Sequence, residues 1–183
     1  KAAARVRAIH KRVHGIDPVT GLPYAADDPD LLRWVHVSEV SSFASAVRRL
    51  GLIDAAEEDR FLAEQVRAGA LLGATDLPAD RAAVEAYFEA VRPELVASPI
   101  ASRAAARLLL APLPWRLSLL TPARPAWTFV AGVAVGLLPD WAKQLYGIPR
   151  LPGADAATTA GLATLRAAFL AFRRATGRPA PPR

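Results

Sequence analysis

The chain contains no cysteine and no methionine, and only three histidines in 183 residues. Without thiols it can form no disulfide, zinc ribbon, thiolate-ligated heme or iron–sulfur cluster. A soft or borderline metal centre would have to be built from His10, His14 or His36, all near the start of the sequence. Long apolar runs are also missing. The stretch Ala126 to Leu138 is uncharged but spans only 13 residues between Pro125 and Pro139, whereas a membrane-spanning helix needs about 20. It is predicted to be a buried core helix, with resting on a membrane or lining an apolar channel as the other readings. Phosphate-cradling glycine loops, nucleophile elbows, internal repeats and period-two strand patterns are absent too, which leaves hydrolase and kinase readings without support.

Acid is scarce at both ends. Residues 1–14 carry five basic side chains and no carboxylate, residues 150–183 carry six arginines against Asp155, and the middle holds 12 basic and 16 acidic residues. Two basic ends around an acidic middle do not make the continuous basic, aromatic-lined face that nucleic acid requires. No nucleic-acid partner is expected. A solvated helix face, or peripheral contact with an anionic membrane surface, accounts for the ends. The 52% hydrophobic content suits one globular domain with a real core. Because the chain opens on Lys1 and has no methionine, further sequence is expected upstream, and the lack of a signal peptide carries no information.

The helix predicted around His10 places Ala2, Val6, Ile9 and Val13 on one stripe at about 100° per residue, with His10 at its edge. Arg7 and His14 lie beside it. His10 and His14 are spaced for a helical two-histidine metal site, but no glutamate motif supports one. A break follows at Gly15. Asp17-Pro18-Val19-Thr20-Gly21 then predicts a short hairpin or tight loop between Ile16 and Tyr24.

Asp28-Pro29-Asp30 is a helix start signal: an N-cap, a proline at the first helical position, and an acid favoured by the dipole. The predicted apolar stripe of this second helix is Leu32, Val35, Val40, Phe43, Val47 and Leu50. His36 and Glu39 fall inside it, so two ionisable groups are expected to face the core, where an unpartnered polar group costs roughly 1–3 kcal/mol. Either they satisfy each other as a structural pair, or they serve a cofactor pocket. Trp34 and Val37 fall on the opposite side, suggesting a second covering layer.

Several segments together resemble one family. Arg7-Ala8-Ile9-His10-Lys11-Arg12-Val13, Gly15 to Ala25, Asp28 to His36 and Ser42-Phe43 are similar to the MpaB-type oxygenase and rubber oxygenase (latex clearing protein) family. The likeness continues through Ala63-Glu64, Leu71-Leu72-Gly73, Leu77-Pro78, Tyr87-Phe88, Arg92 to Leu95, Leu138-Pro139 and Tyr146-Gly147. It implies an all-α domain that binds heme b and uses dioxygen on an apolar, terpenoid- or polyisoprene-like substrate. It also implies that His10, in the Arg-x-x-His element, is the axial iron ligand, with Arg7 a propionate or neighbouring partner and His36, oriented by Glu39, a cofactor-pocket residue. The family's distal Arg and Thr and its acidic base are expected upstream of Lys1. The rival reading is a cofactor-free helical protein that binds a partner or a membrane surface.

The remaining elements are expected to be scaffold. Gly51 should end the second helix. Asp54 to Glu57 is a capping box opening a helix that ends at Gly73, and Asp80 caps another that Pro93 stops. Ser98-Pro99 starts a helix to Leu110, and a final helix aligns Leu162, Leu165, Phe169 and Phe172. The expected architecture is a single-domain orthogonal helical bundle over 1–176 with a hairpin-like turn after the first helix, and a flexible Pro-rich tail over 177–183.

Overall fold

The computed structural model describes residues 1–110 and 121–177. Among them the protein is all-α: eight α-helices and one two-stranded hairpin. They are α1 (Ala2–His10), β1 (His14–Ile16), β2 (Pro23–Ala25), α2 (Pro29–Arg49), α3 (Ala55–Leu72), α4 (Arg81–Val91), α5 (Pro99–Leu110), α6 (Ala123–Leu137), α7 (Asp140–Leu145) and α8 (Ala154–Ala175). Contacts cluster into two compact units, Lys1–Val96 and Ala97–Arg183. The expected tail beyond Gly177, and the middle of the apolar region 108–138, fall largely outside the described residues.

Local chemistry sets the element ends. Asp28 accepts from the backbone of Asp30 and Leu31, and Asp54 and Glu57 close the reciprocal capping box. Asp80 accepts from Ala83 N–H, and Ser98 Oγ from Ala101 N–H. Gly73 ends α3 at φ +112°, where a side chain would be strained. The predicted hairpin is present, with His14 opposite Ala25, Gly15 opposite Tyr24 and Ile16 opposite Pro23. Asp17 holds its turn through the backbone N–H groups of Val19 and Thr20.

In the first unit α3 is central, packing against α1, α2 and α4. The core is Val37, Leu62 and Val84, flanked by Val40, Phe61, Leu77, Tyr87 and Phe88. This corrects part of the predicted face of α2, on which Leu32 is buried and Val40 packs against the core as expected. Val35 and Phe43 are 59% and 62% exposed, whereas Val37 is 1% and Ala44 2% exposed. α2 carries apolar side chains on both sides, and Val37 and Ala44 are among those turned inward. The residues expected under a second layer are thus the core side, and Trp34 meets Phe88 of α4 edge-on at 6.0 Å.

An ionic cluster ties the same three helices. Glu58 of α3, only 7% exposed, lies 3.3 Å from Arg48 of α2 and 3.8 Å from Arg81 of α4. Beside it Asp59 accepts from the Arg81 backbone N–H at 3.0 Å and Nε at 3.1 Å. These bonds hold the Asp59 carboxyl below its ordinary value of 3.8. A carboxylate depressed in the folded state stabilises fully above its unfolded pKa and loses that contribution as pH falls through the folded one. In urea unfolding, the midpoint should therefore decline below about pH 4, and Asp59→Asn should flatten that decline while leaving the neutral limb parallel to wild type.

The second unit is built on α6 and α8. Gly136 of α6 lies against Thr158, and Gly161 of α8 against Val133, so close that a Cβ at either would collide. Only Val133 of α6 is buried, while Trp127, Phe129 and Val130 are 38–42% exposed. The predicted core helix is thus covered along one line, because α8 is its main packed neighbour. α8 is buried at Thr158, Gly161 and Leu162, but Phe169 and Phe172 are uncovered. No described helix is long and apolar enough to cross a membrane.

Candidate functional site

The predicted site residues come from α1 and α2, the two helices seated on α3. α1 ends at His10, and the backbone turns at once, Arg12 N–H bonding to Ile9 and Val13 N–H to His10 at 2.9 Å. Its inward line is Ala3, Val6 and His10, spaced three and four apart and each half-buried. Ile9 is 50% and Val13 46% exposed. The imidazole therefore stands on the inward face, not at the edge of a stripe running through Ile9. Its Nδ1 is enclosed, with no hydrogen-bond partner. A buried nitrogen left unmatched costs about 1–3 kcal/mol, and Arg33 Nε and Ser38 Oγ are left in the same state.

Arg7 precedes His10 by three residues, so the two share a face of α1. Its side chain is exposed and makes no hydrogen bond or ion pair among the described residues. His14 is not on the helix. It begins β1 and is exposed, which removes the two-histidine helical arrangement. Tyr24 lies against Gly15, its ring filling the space that a Cβ there would need.

His36 is half-buried at the boundary of the inward side of α2. Its ring edge lies over Gly69 of α3, where an added Cβ would fall 2.8 Å from Cδ2 and 2.9 Å from Nε2. Leu77 Cδ1 closes the same spot at 2.6 Å. Gly69 is thus a recess that accommodates the imidazole. Glu39 departs from expectation: it is exposed and makes no hydrogen bond or ion pair with His36. The rotation of α2 that turns Val37 inward carries Glu39 outward with Val35 and Phe43, so the expected buried pair does not form.

Two neighbours escaped the sequence reading. Gly69 had a detectable signal, since a glycine inside a helix costs roughly 1 kcal/mol relative to alanine and so marks a close approach. Arg33 had none. Its guanidinium lies 5.6 Å from the centre of the Tyr87 ring and 3.6 Å from Asp76, while its Nε is enclosed without a partner. Burial pushes the Tyr87 phenol above its ordinary value, against the pull of that guanidinium.

The donor set limits what could be held. Among the described residues no three His, Asp or Glu side chains converge on a metal position, whereas a porphyrin asks the protein for as little as one axial donor. Among the described residues, His10 with its unmatched nitrogen and Arg7, unpaired on the same helix face, meet that lesser demand. No curated protein and no solved structure matches the chain. A family model does, over residues 1–174, through both units: the chain belongs to the family described as ER-bound oxygenase mpaB/B′/rubber oxygenase, catalytic domain.

Proposed function

We propose that this member of an oxygenase family is a heme b-dependent oxygenase that uses dioxygen to attack a carbon–carbon bond in an apolar, terpenoid- or polyisoprene-like substrate. The observation that supports it most is the half-buried His10 with its unpartnered Nδ1. Heme b, when bound, supplies activation of dioxygen at iron. The chain's part is to hold and tune. His10 would be the residue that holds the iron, from the inward face of α1. Arg7 neutralises a propionate from the same helix face. His36, fixed over Gly69, forms part of the pocket wall.

Hemin titration tests this reading. The full chain should acquire a sharp Soret band at one equivalent of hemin, with separated visible bands after dithionite. A broad, unsaturated rise typical of nonspecific adsorption would overturn it. The membrane-surface reading draws on the exposed Phe169 and Phe172 of α8, where Arg173 lies 5.7 Å over the Phe169 ring. A colourless protein that sediments with anionic vesicles and releases them in salt would favour that reading instead.

A further inference from the structure

The second unit contains a cavity that the oxygenase reading does not use. It lies between α6, α7, the 148–153 connection and the first turns of α8, and measures about 860 Å³. Small-molecule sites typically measure ~300–1,000 Å³ and are mainly apolar with a few placed polar groups. Phe129, Val133, Val135, Ile148 and Leu151 supply the apolar wall.

Two features distinguish it from a packing fault. Gly132, inside α6, lines it, and a Cβ added there would meet nothing within 4 Å. Gly136, one turn on, is required by the crossing with Thr158. Among the described residues no such crossing explains Gly132, although an interior glycine weakens a helix. Its missing side chain leaves room in the cavity.

The second feature is Lys143. Its ammonium is half-buried at the cavity and donates to the Gly136 carbonyl at 2.9 Å. An ammonium has three donors, and no carboxylate lies within ion-pair reach of this one among the described residues. Of the other charges at the cavity, Arg150 is paired with Asp140, and Asp155 has an interaction of its own. The cavity thus combines an apolar body with an ammonium that no carboxylate pairs among the described residues.

We propose that this cavity binds an amphiphilic acid, a molecule with an aliphatic or terpene-like body along α6 and one carboxylate at Lys143. The proposal needs no cofactor and stands whether or not the heme reading holds. Its test uses the full chain without added hemin, with cis-parinaric acid below its micellar concentration as a fluorescent probe and its methyl ester as the uncharged comparison. Wild type should bind the acid saturably and roughly tenfold more tightly than the ester, the factor of one charge-assisted hydrogen bond. Lys143→Met should bring the acid to the ester's affinity and leave the ester unchanged. Gly132→Leu should weaken both by narrowing the cavity along α6. Absence of saturable binding, equal affinity of wild type for acid and ester, or full binding by Gly132→Leu would overturn the assignment. If circular dichroism shows that Gly132→Leu is unfolded, Lys143→Met decides alone: undiminished acid preference overturns it.

Discussion

His10→Ala is expected to abolish hemin uptake while leaving a folded helical protein. The two effects separate because of where the residue sits. His10 is the last residue of α1 and is half-buried, so truncation opens little of the core formed by Val37, Leu62 and Val84. Alanine is a better helix former than histidine by a few tenths of a kcal/mol. The substitution also removes an enclosed nitrogen that has no partner, so the change in unfolding free energy should stay within about 1 kcal/mol. The Soret band should nonetheless be lost, and millimolar imidazole should restore part of it by entering the vacated space. His36→Ala provides the control. It should keep the band, because that ring lies over Gly69 and in the proposal does not ligate the iron. If His36→Ala loses the band and His10→Ala keeps it, the two histidines have been assigned the wrong way round.

What was legible in the sequence follows the range of the forces. Caps and turns depend on two to four neighbouring residues, so Asp28, Asp54, Asp80 and Gly73 stand where the sequence places them. The Asp17–Gly21 turn and its short hairpin were legible for the same reason. The facing of α2 was not. Its wheel has apolar residues on two sides, and the choice between them belongs to α3 and α4, through the recess at Gly69 and the Trp34–Phe88 contact. The wrong face carried Glu39 into an expected pair with His36 that does not form. Long-range ion pairing was equally hidden, since nothing local tells Glu58 that Arg48 and Arg81 will flank it. For the candidate site, the imidazole on α1 was legible by residue type. Its place on the inward line with Ala3 and Val6 depended on which side α3 covers.

Gly69→Ala should destabilise the protein, the reverse of what the same substitution does at an open helical site. Two terms compete. Replacing an interior helical glycine by alanine gains roughly 0.5–1 kcal/mol from backbone entropy. Forcing a methyl into a filled space costs typically 1–3 kcal/mol. At Gly69 the new Cβ would lie 2.6 Å from Leu77 Cδ1 and under 3 Å from two atoms of the His36 ring, so the steric term wins and a net loss of about 1–2 kcal/mol is expected. At Gly132 nothing among the described residues lies within 4 Å, and alanine there should stabilise the protein by up to about 1 kcal/mol. The opposite signs can be read from paired urea titrations. A double-mutant cycle then identifies the obstacle: in a His36→Ala background Gly69→Ala should cost less, with the coupling giving the share of strain borne by the imidazole. Equal costs in both backgrounds would mean that Leu77 alone opposes the methyl and that His36 is free to move aside. In that case Gly69 would not fix the ring, and the proposed pocket wall would lose its support from α3.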